Sequence, residues 1–236
     1  MKKHLSILIP AYNEKERLPS TLDSYLKFLE ERTNYDYEII VIDDGSSDGT
    51  AEEVKKLSLP KVKVVVLEKN MGKGAAVKAG VINSQGEMVL ICDADGSTPI
   101  SELPKLTHEL KSGIDLAIGS RNNQELIGEK QPPFRVFLGK FFNKLVRILL
   151  KANIKDTQCG FKLMKGDLAR SVFSEMKING FCFDVELLYL AMQRKSQVKE
   201  IPVIWINDER SKVNVITDPI KMFIDLFRIK LIHSAI

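Results

Sequence analysis

Short apolar runs alternate with helix-length amphipathic stretches through the first half of the chain. Leu5–Ile9, Glu38–Ile42, Val62–Leu67, Met88–Cys92 and Asp115–Ile118 are compact and mostly β-branched or aliphatic. Between them, Glu14 to about Arg32, Ser47–Leu57, Lys73–Asn83 and Ser101–Lys111 read as helices. Continuous apolar strands separated by helices mark a parallel sheet covered on both faces. The pattern predicts an α/β domain of roughly 120 residues, mostly parallel. Ligands of such sheets bind beyond the carboxyl ends of the strands. The polar clusters of this chain fall at those ends.

The second half changes rhythm at Pro132-Pro133. Phe134–Lys151 reads as a helix, Asp156–Gly160 as a polar loop, Phe161–Met164 as a strand and Gly166–Met176 as a helix. A helix over Phe183–Arg194, a strand over Val198–Ile206 and a last helix over Asp218–Ile232 complete the prediction. No repeat and no long linker separates independent domains. The expected division is one domain over 1–212, with a ligand-binding half over 1–122 and a second half over 123–212. An amphipathic C-terminal helix over 213–236 follows it.

The helix over 134–151 carries Arg135, Lys140, Lys144, Arg147 and Lys151 and no acidic residue. Lys140, Lys144, Arg147 and Lys151 share one face. Phe134, Phe137, Leu138, Phe141, Leu145, Ile148 and Leu149 fill much of the rest. This is the pattern of a helix lying in a lipid headgroup layer, where each basic group contributes about 1 kcal/mol near an anionic surface. A helix covering the sheet with a solvated basic face accounts for the same residues. The last helix repeats the theme more weakly, with Phe223, Leu226, Phe227, Ile229, Leu231 and Ile232 beside Lys221, Arg228 and Lys230. Core packing, pairing with another chain and membrane contact all remain open for it.

Composition narrows the class. The 236 residues are 44% apolar and 28% charged, which excludes a disordered or low-complexity chain. Thirty-five basic against 31 acidic residues leave +4, too small an excess to point to nucleic acid. No apolar run approaches the roughly 20 residues of a spanning helix. Met1-Lys2-Lys3-His4 passes into a strand-like run without an apolar signal region. Cys92, Cys159 and Cys182 are widely spaced with no C-x-x-C, so a reducing, cytoplasmic setting is expected.

Four clusters carry candidate chemistry. The first strand runs into Pro10-Ala-Tyr-Asn-Glu14, where Asn13 and Glu14 also suit a helix start. The second ends in Asp43-Asp-Gly-Ser-Ser-Asp-Gly-Thr50. Paired carboxylates there suit a base or sugar, although an acidic turn with Ser47 capping a helix reads equally well. The third leads to Asn70-Met-Gly-Lys-Gly74, a glycine-flanked lysine at a helix start that suits a phosphate. It lacks the spacing of a P-loop. The fourth ends in Asp93-Ala-Asp-Gly96. If the strand continues to Asp95, both carboxylates project one way, and their repulsion calls for a cation. Mg²⁺ and Mn²⁺ bind one or two carboxylates and complete their shells with substrate phosphates.

These clusters, with Gly119-Ser-Arg121, resemble the inverting family-two glycosyltransferases of the GT-A fold. Asp156-Thr-Gln-Cys-Gly-Phe-Lys162, Phe183-Asp-Val-Glu186 and Arg210-Ser-Lys212 are similar to the polyisoprenyl-phosphate members. Asp93-Ala-Asp-Gly-Ser-Thr98 and Asp156–Lys162 look closer to the dolichyl-phosphate glucosyltransferases than to the dolichyl-phosphate mannose synthases. Glu209-Arg210 departs from the family, which commonly has a glycine there.

The resemblance implies roles. Pro10, Tyr12, Glu14 and Asp44 line the base and ribose pocket, and Lys73 lies near the base or phosphates. Asp93 meets the ribose or a metal-bound water, and Asp95 ligates Mg²⁺ or Mn²⁺. Arg121, Arg210 and Lys212 hold the acceptor phosphate. Asp184 and Glu186 lie near the reaction centre, with Asp95, Arg121 and Asp184 as catalytic residues. Gln158 and Cys159 shape the sugar pocket. The implied reaction moves a hexose, with UDP-glucose the leading donor, to a polyisoprenyl phosphate with inversion. The expected setting is the cytoplasmic face of a membrane, bound peripherally. GDP-mannose as donor, a polysaccharide or protein acceptor, and a binding module without turnover remain alternatives. Cys159 as a nucleophile lacks a marked base partner.

Overall fold

The computed structural model describes residues 4–32, 36–121, 133–150, 154–206 and 217–233, with backbone alone described over 133–141. Its strands are β1 (Leu5–Ala11), β2 (Tyr37–Asp43), β3 (Val62–Val66), β4 (Met88–Ile91), β5 (Leu116–Ser120), β6 (Lys162–Lys165) and β7 (Val198–Pro202). Its α-helices are α1 (Leu18–Arg32), α2 (Thr50–Lys56), α3 (Lys73–Ile82), α4 (Leu103–Lys111), α5 (Pro133–Leu150), α6 (Gly166–Glu175), α7 (Phe183–Gln193) and α8 (Thr217–His233). A short 3₁₀ turn over Ile100–Glu102 precedes α4.

The strands form one sheet in the order β3-β2-β1-β4-β6-β5-β7. All neighbours are parallel except β6, which runs antiparallel to both β4 and β5. The alternation of the strands divides their side chains between two cores. Ile7, Ile9, Ile39, Val41 and Leu90 face the side covered by α1 and α4. Leu8, Ile40, Ile42, Val89 and Ile91 face α3, α6 and α7. Phe142, Val146 and Leu150 of α5 and Leu226 and Ile229 of α8 extend this second core.

Two readings of the pattern need correction. Helix α1 begins at Leu18, because Glu14–Arg17 form a turn closed by a hydrogen bond from Arg17 N–H to the Glu14 carbonyl at 3.1 Å. Strand β4 ends at Ile91, so Asp93 and Asp95 lie in a turn and are not same-face strand residues. The sheet nevertheless prepares a site. From β1 the chain moves outward through β2 and β3, then returns to β4 on the other side of β1. The crevice between the carboxyl ends of β1 and β4 is the topological switch point where open sheets bind ligands.

Candidate active site

An open cavity of about 820 Å³ lies over this switch point. Pro10, Tyr12, Glu14 and Asp44 reach it from β1 and β2; Lys73, Asp93 and Asp95 reach it from α3 and the turn after β4. Arg121, directly after β5, and Gln158 form a further wall, and α8 closes the side with Lys221, Ile224 and Arg228. The fold thus gathers these residues from seven separate stretches of chain. Arg210 and Lys212 lie outside the described residues.

The loops after β1 and β2 are tied together. Asn13 adopts φ 56°. Its backbone N–H donates to Ser46 Oγ and its side-chain Oδ1 accepts from Ser47 N–H, both at 2.9 Å. Asn13 therefore staples two loops and does not cap α1. Nor does Ser47 cap α2, whose N-cap is Gly49. Glu14 is held by Arg17 in a bidentate pair, at 2.7 and 2.5 Å. Asp44 accepts the backbone N–H groups of Met71 and Gly72, at 2.7 and 2.9 Å. Burial raises its pKa despite those two bonds, and neighbouring Asp43 adds to the rise.

The helix-start expectation at Gly72-Lys73-Gly74 changes as well. The Gly74 and Ala75 N–H groups donate to the Asn179 carbonyl at 2.7 and 3.2 Å, so these two amides are already occupied. The glycines serve close packing instead. A Cβ on Gly72 would lie 2.5 Å from the Asn179 oxygen, and one on Gly74 would lie 2.5 Å from the Ile178 oxygen. The cation that this cluster brings to the cavity is the Lys73 ammonium.

Lys73 Nζ meets Asp93 Oδ1 at 2.5 Å. Burial works against the ammonium, but the carboxylates of Asp93, Asp184 and Asp95 outweigh it and raise the Lys73 pKa. Burial likewise opposes ionisation of Asp93, and Lys73, Lys162 and Arg121 overcome it, holding the pKa below the usual carboxylate range. Asp95 is the contrasting partner. Burial, then the charge of Asp93, raises its pKa. Its Oδ1 accepts the Ser97 N–H at 2.9 Å, and Arg17 Nη1 stands 3.9 Å from Oδ2.

This contrast bears on a divalent ion. Asp95 is a hard oxygen donor, partly exposed at the cavity, whose negative charge is poorly compensated. Among the described residues no three His, Cys, Asp or Glu side chains converge as a complete cage. One or two carboxylates with substrate phosphates supplying the rest is how Mg²⁺ is commonly held. The residues present fit that mode, with Asp95 the freer donor and Asp93 committed to Lys73.

Arg121 is fixed from two sides. Its Nε and Nη2 donate to the Asp156 carboxylate at 2.7 and 2.8 Å, and its guanidinium stands 5.6 Å from the Trp205 ring centroid. Burial opposes the charge on each partner, but the pair prevails, lowering Asp156 and raising Arg121. Asp156 is itself seated by its backbone N–H on Glu200, at 2.7 Å.

Asp184 and Glu186 lie behind the cavity wall, not in it. Asp184 Oδ1 accepts from Lys162 Nζ at 2.6 Å, and that lysine is fully buried and donates also to the Cys159 carbonyl at 2.5 Å. Burial raises the Asp184 pKa despite Lys162. Cys159 is buried beside Gly119, and burial pushes its thiol up to about 11, which disfavours a nucleophilic thiolate. Gly160 makes room for the site: a Cβ there would fall 1.9 Å from Asp93 Oδ2. Arg17 and Trp205 lie outside the motifs, and Lys162, which closes one of them, gains a part only from its contacts with Asp184 and Cys159.

Residues 6–173 match the model of a family described as glycosyl transferase family 2. The dolichyl-phosphate β-glucosyltransferase ALG5C of Trichomonas vaginalis is 40% identical, over 98% of this chain and 72% of its own length. The dolichyl-phosphate β-glucosyltransferase of Mus musculus is also 40% identical, over 97% of this chain and 75% of its own. Among solved structures, glucosyl-3-phosphoglycerate synthase from Mycobacterium tuberculosis, in complex with Mn²⁺, uridine diphosphate and phosphoglyceric acid, superposes with a TM-score of 0.73. It is 18% identical and covers 97% of this chain and 78% of its own. The GT-A fold implied by the motifs is the fold observed.

Proposed function

The chain belongs to glycosyl transferase family 2, and from that premise we propose that it transfers glucose from UDP-glucose to the phosphate of a polyisoprenyl lipid, with inversion and with a divalent cation. The observation that carries this reading is the convergence of Asp95, Lys73 and Arg121 on one cavity at the switch point. The relatives named dolichyl-phosphate β-glucosyltransferase support glucose and the lipid phosphate as the transferred group and acceptor.

In this reading Pro10, Tyr12, Glu14 and Asp44 border the nucleoside, and Asp93 places Lys73 beside the diphosphate. Asp95, with Asp93 beside it, would hold the ion. Bound Mg²⁺ or Mn²⁺ supplies charge neutralisation for the departing diphosphate. Arg121, held by Asp156 and Trp205, presents a fixed guanidinium to the acceptor phosphate, and the resemblance implies the same part for Arg210 and Lys212. A lipid monophosphate has a second pKa near 6, as a phosphorylated side chain does, so it attacks mostly as the dianion at pH 7. Its oxygen forms a bond to the anomeric carbon while the bond from that carbon to the diphosphate breaks, and UDP leaves with the electron pair. No strong general base is required. Asp184 acts from behind the wall through Lys162 and Lys73.

No described helix is long and apolar enough to cross a membrane. Helix α8 exposes Ile220, Phe223, Ile224, Phe227 and Leu231, beside Lys221, Arg228 and Lys230. Helix α5 buries Phe142, Val146 and Leu150 and exposes Lys144, Arg147 and Ile148. These faces support peripheral attachment at a membrane, with the cavity mouth beside α8 near the lipid; the cytoplasmic side is the one the resemblance implies.

Transfer from radiolabelled UDP-glucose, GDP-mannose and UDP-N-acetylglucosamine to dolichyl phosphate in detergent, with Mn²⁺ or EDTA, tests the reading. A metal-dependent, acid-labile lipid product from UDP-glucose is expected. A product from GDP-mannose alone overturns the donor, and no lipid product from any donor overturns the acceptor.

A further inference from the structure

Glu186 anchors a buried chain of contacts that runs from the far end of α8 to the donor side of the cavity. Its Oε1 accepts the Lys177 N–H at 2.9 Å and its Oε2 accepts the Ile178 N–H at 2.8 Å. His233, the last described residue of α8, places Nε2 2.7 Å from the same Oε1. Both side chains are shut off from water, at 3% and 0% exposure. The end of α8 is pinned further, because Gln193 Nε2 donates to the His233 carbonyl at 3.2 Å and the Tyr189 ring lies against the imidazole.

The loop that Glu186 holds leads directly to the site. Asn179, one residue beyond the anchored amides, accepts the Gly74 and Ala75 N–H groups through its carbonyl. The bare faces of Gly72 and Gly74 lie against the same loop. Lys73 stands between those glycines and pairs with Asp93. A shift of the loop therefore moves the start of α3 and with it the ammonium. The loop also lines the cavity itself through Lys177, Asn179 and Gly180. Buried hydrogen-bond networks of this kind hold one geometry, because a partner lost leaves another polar group unsatisfied.

We infer that Glu186 and His233 are positioning residues for donor binding: they set the 177–179 loop, and through it the place of Lys73. Glu186 thus acts at a distance from the reacting atoms, and α8, which bears the exposed apolar face, is wired to the nucleotide side of the cavity. The inference rests on the reading that the cavity takes a nucleoside diphosphate.

The test uses the full chain with His233→Ala, His233→Gln and Glu186→Gln. UDP affinity is measured by calorimetry in Mn²⁺, steady-state transfer gives KM and kcat, and hydrogen exchange follows a peptide over 72–78. His233→Ala and Glu186→Gln are expected to weaken UDP binding about tenfold, which corresponds to about 1.4 kcal/mol. Donor KM rises in parallel, kcat stays within about threefold, and the Gly74 and Ala75 amides exchange faster. His233→Gln, whose amide donates near the same oxygen, recovers most of the affinity. Wild-type UDP affinity and exchange in folded His233→Ala and Glu186→Gln would overturn the inference. So would equal impairment of His233→Ala and His233→Gln, which would mark a packing loss alone. If wild-type protein fails to bind UDP, the donor reading fails, and the exchange measurement alone then decides the relay.

Discussion

Replacing Lys162 with Met probes the electrostatic support behind the site. The Lys162 side chain is fully enclosed, and its ammonium donates to Asp184 and to the Cys159 carbonyl. Methionine keeps most of the volume, so the packing change is small. What it removes is the cation, leaving the Asp184 carboxylate buried with its nearest partner gone. Breaking a buried pair from one side costs about 3–5 kcal/mol, a large share of the roughly 5–15 kcal/mol that holds a domain together. At about 2–4 °C per kcal/mol for a chain of this size, the melting point falls by roughly 10 °C. The pH dependence has a definite sign. Burial already raises the Asp184 pKa, and loss of Lys162 raises it further. The folded variant then binds a proton more readily than the unfolded chain, so its stability falls as pH rises through the folded pKa. Urea unfolding of variant and wild type at pH 8 and pH 5.5 measures this directly. The deficit is expected to narrow at pH 5.5, and the double variant Lys162→Met/Asp184→Asn to recover a good part of it. A loss below about 1 kcal/mol, or a deficit that widens at low pH, would mean that Lys162 does not offset a buried charge on Asp184.

Asp95→Asn is expected to lower metal-dependent transfer by at least about 100-fold, while UDP binding in EDTA stays at the wild-type level. Gly160→Ala places a methyl on the Asp93 carboxylate. It should disturb the Lys73 pair and cut kcat/KM by roughly tenfold or more, a loss of about 1.4 kcal/mol, with little change in far-UV circular dichroism. Phe227→Glu puts a charge on the exposed face of α8. Sedimentation with anionic vesicles should show weaker association, while activity toward a short-chain acceptor in detergent is retained.

The two sheet faces were legible because strict alternation in β1, β2 and β4 sends successive residues to opposite cores. The direction of β6 was not. A four-residue strand bounded by Lys162 and Lys165 has the same apolar code in either orientation, and only its place between β4 and β5 makes it antiparallel. The acidic clusters announced the site because they sit at strand ends, which the fold brings together. The glycines at 72 and 74 misled, since a loop more than 100 residues later explains them. The part of Lys162 was hidden for the same reason. Its partner Asp184 is 22 residues away, and a lysine in a strand reads as solvated until that partner is placed. His233 carried no local signal at all, because its meaning lies in Glu186, 47 residues earlier.

In the proposed reaction a lipid phosphate attacks the glucose carbon inside this cavity. Phosphorus-coupled proton NMR of the lipid product formed from UDP-glucose in vesicles holding dolichyl phosphate tests it most directly. A β-linked glucosyl phosphate is expected, its anomeric proton coupled to the single phosphorus of the lipid. An α-linked product, or glucose found on any atom other than the phosphate oxygen, would contradict it.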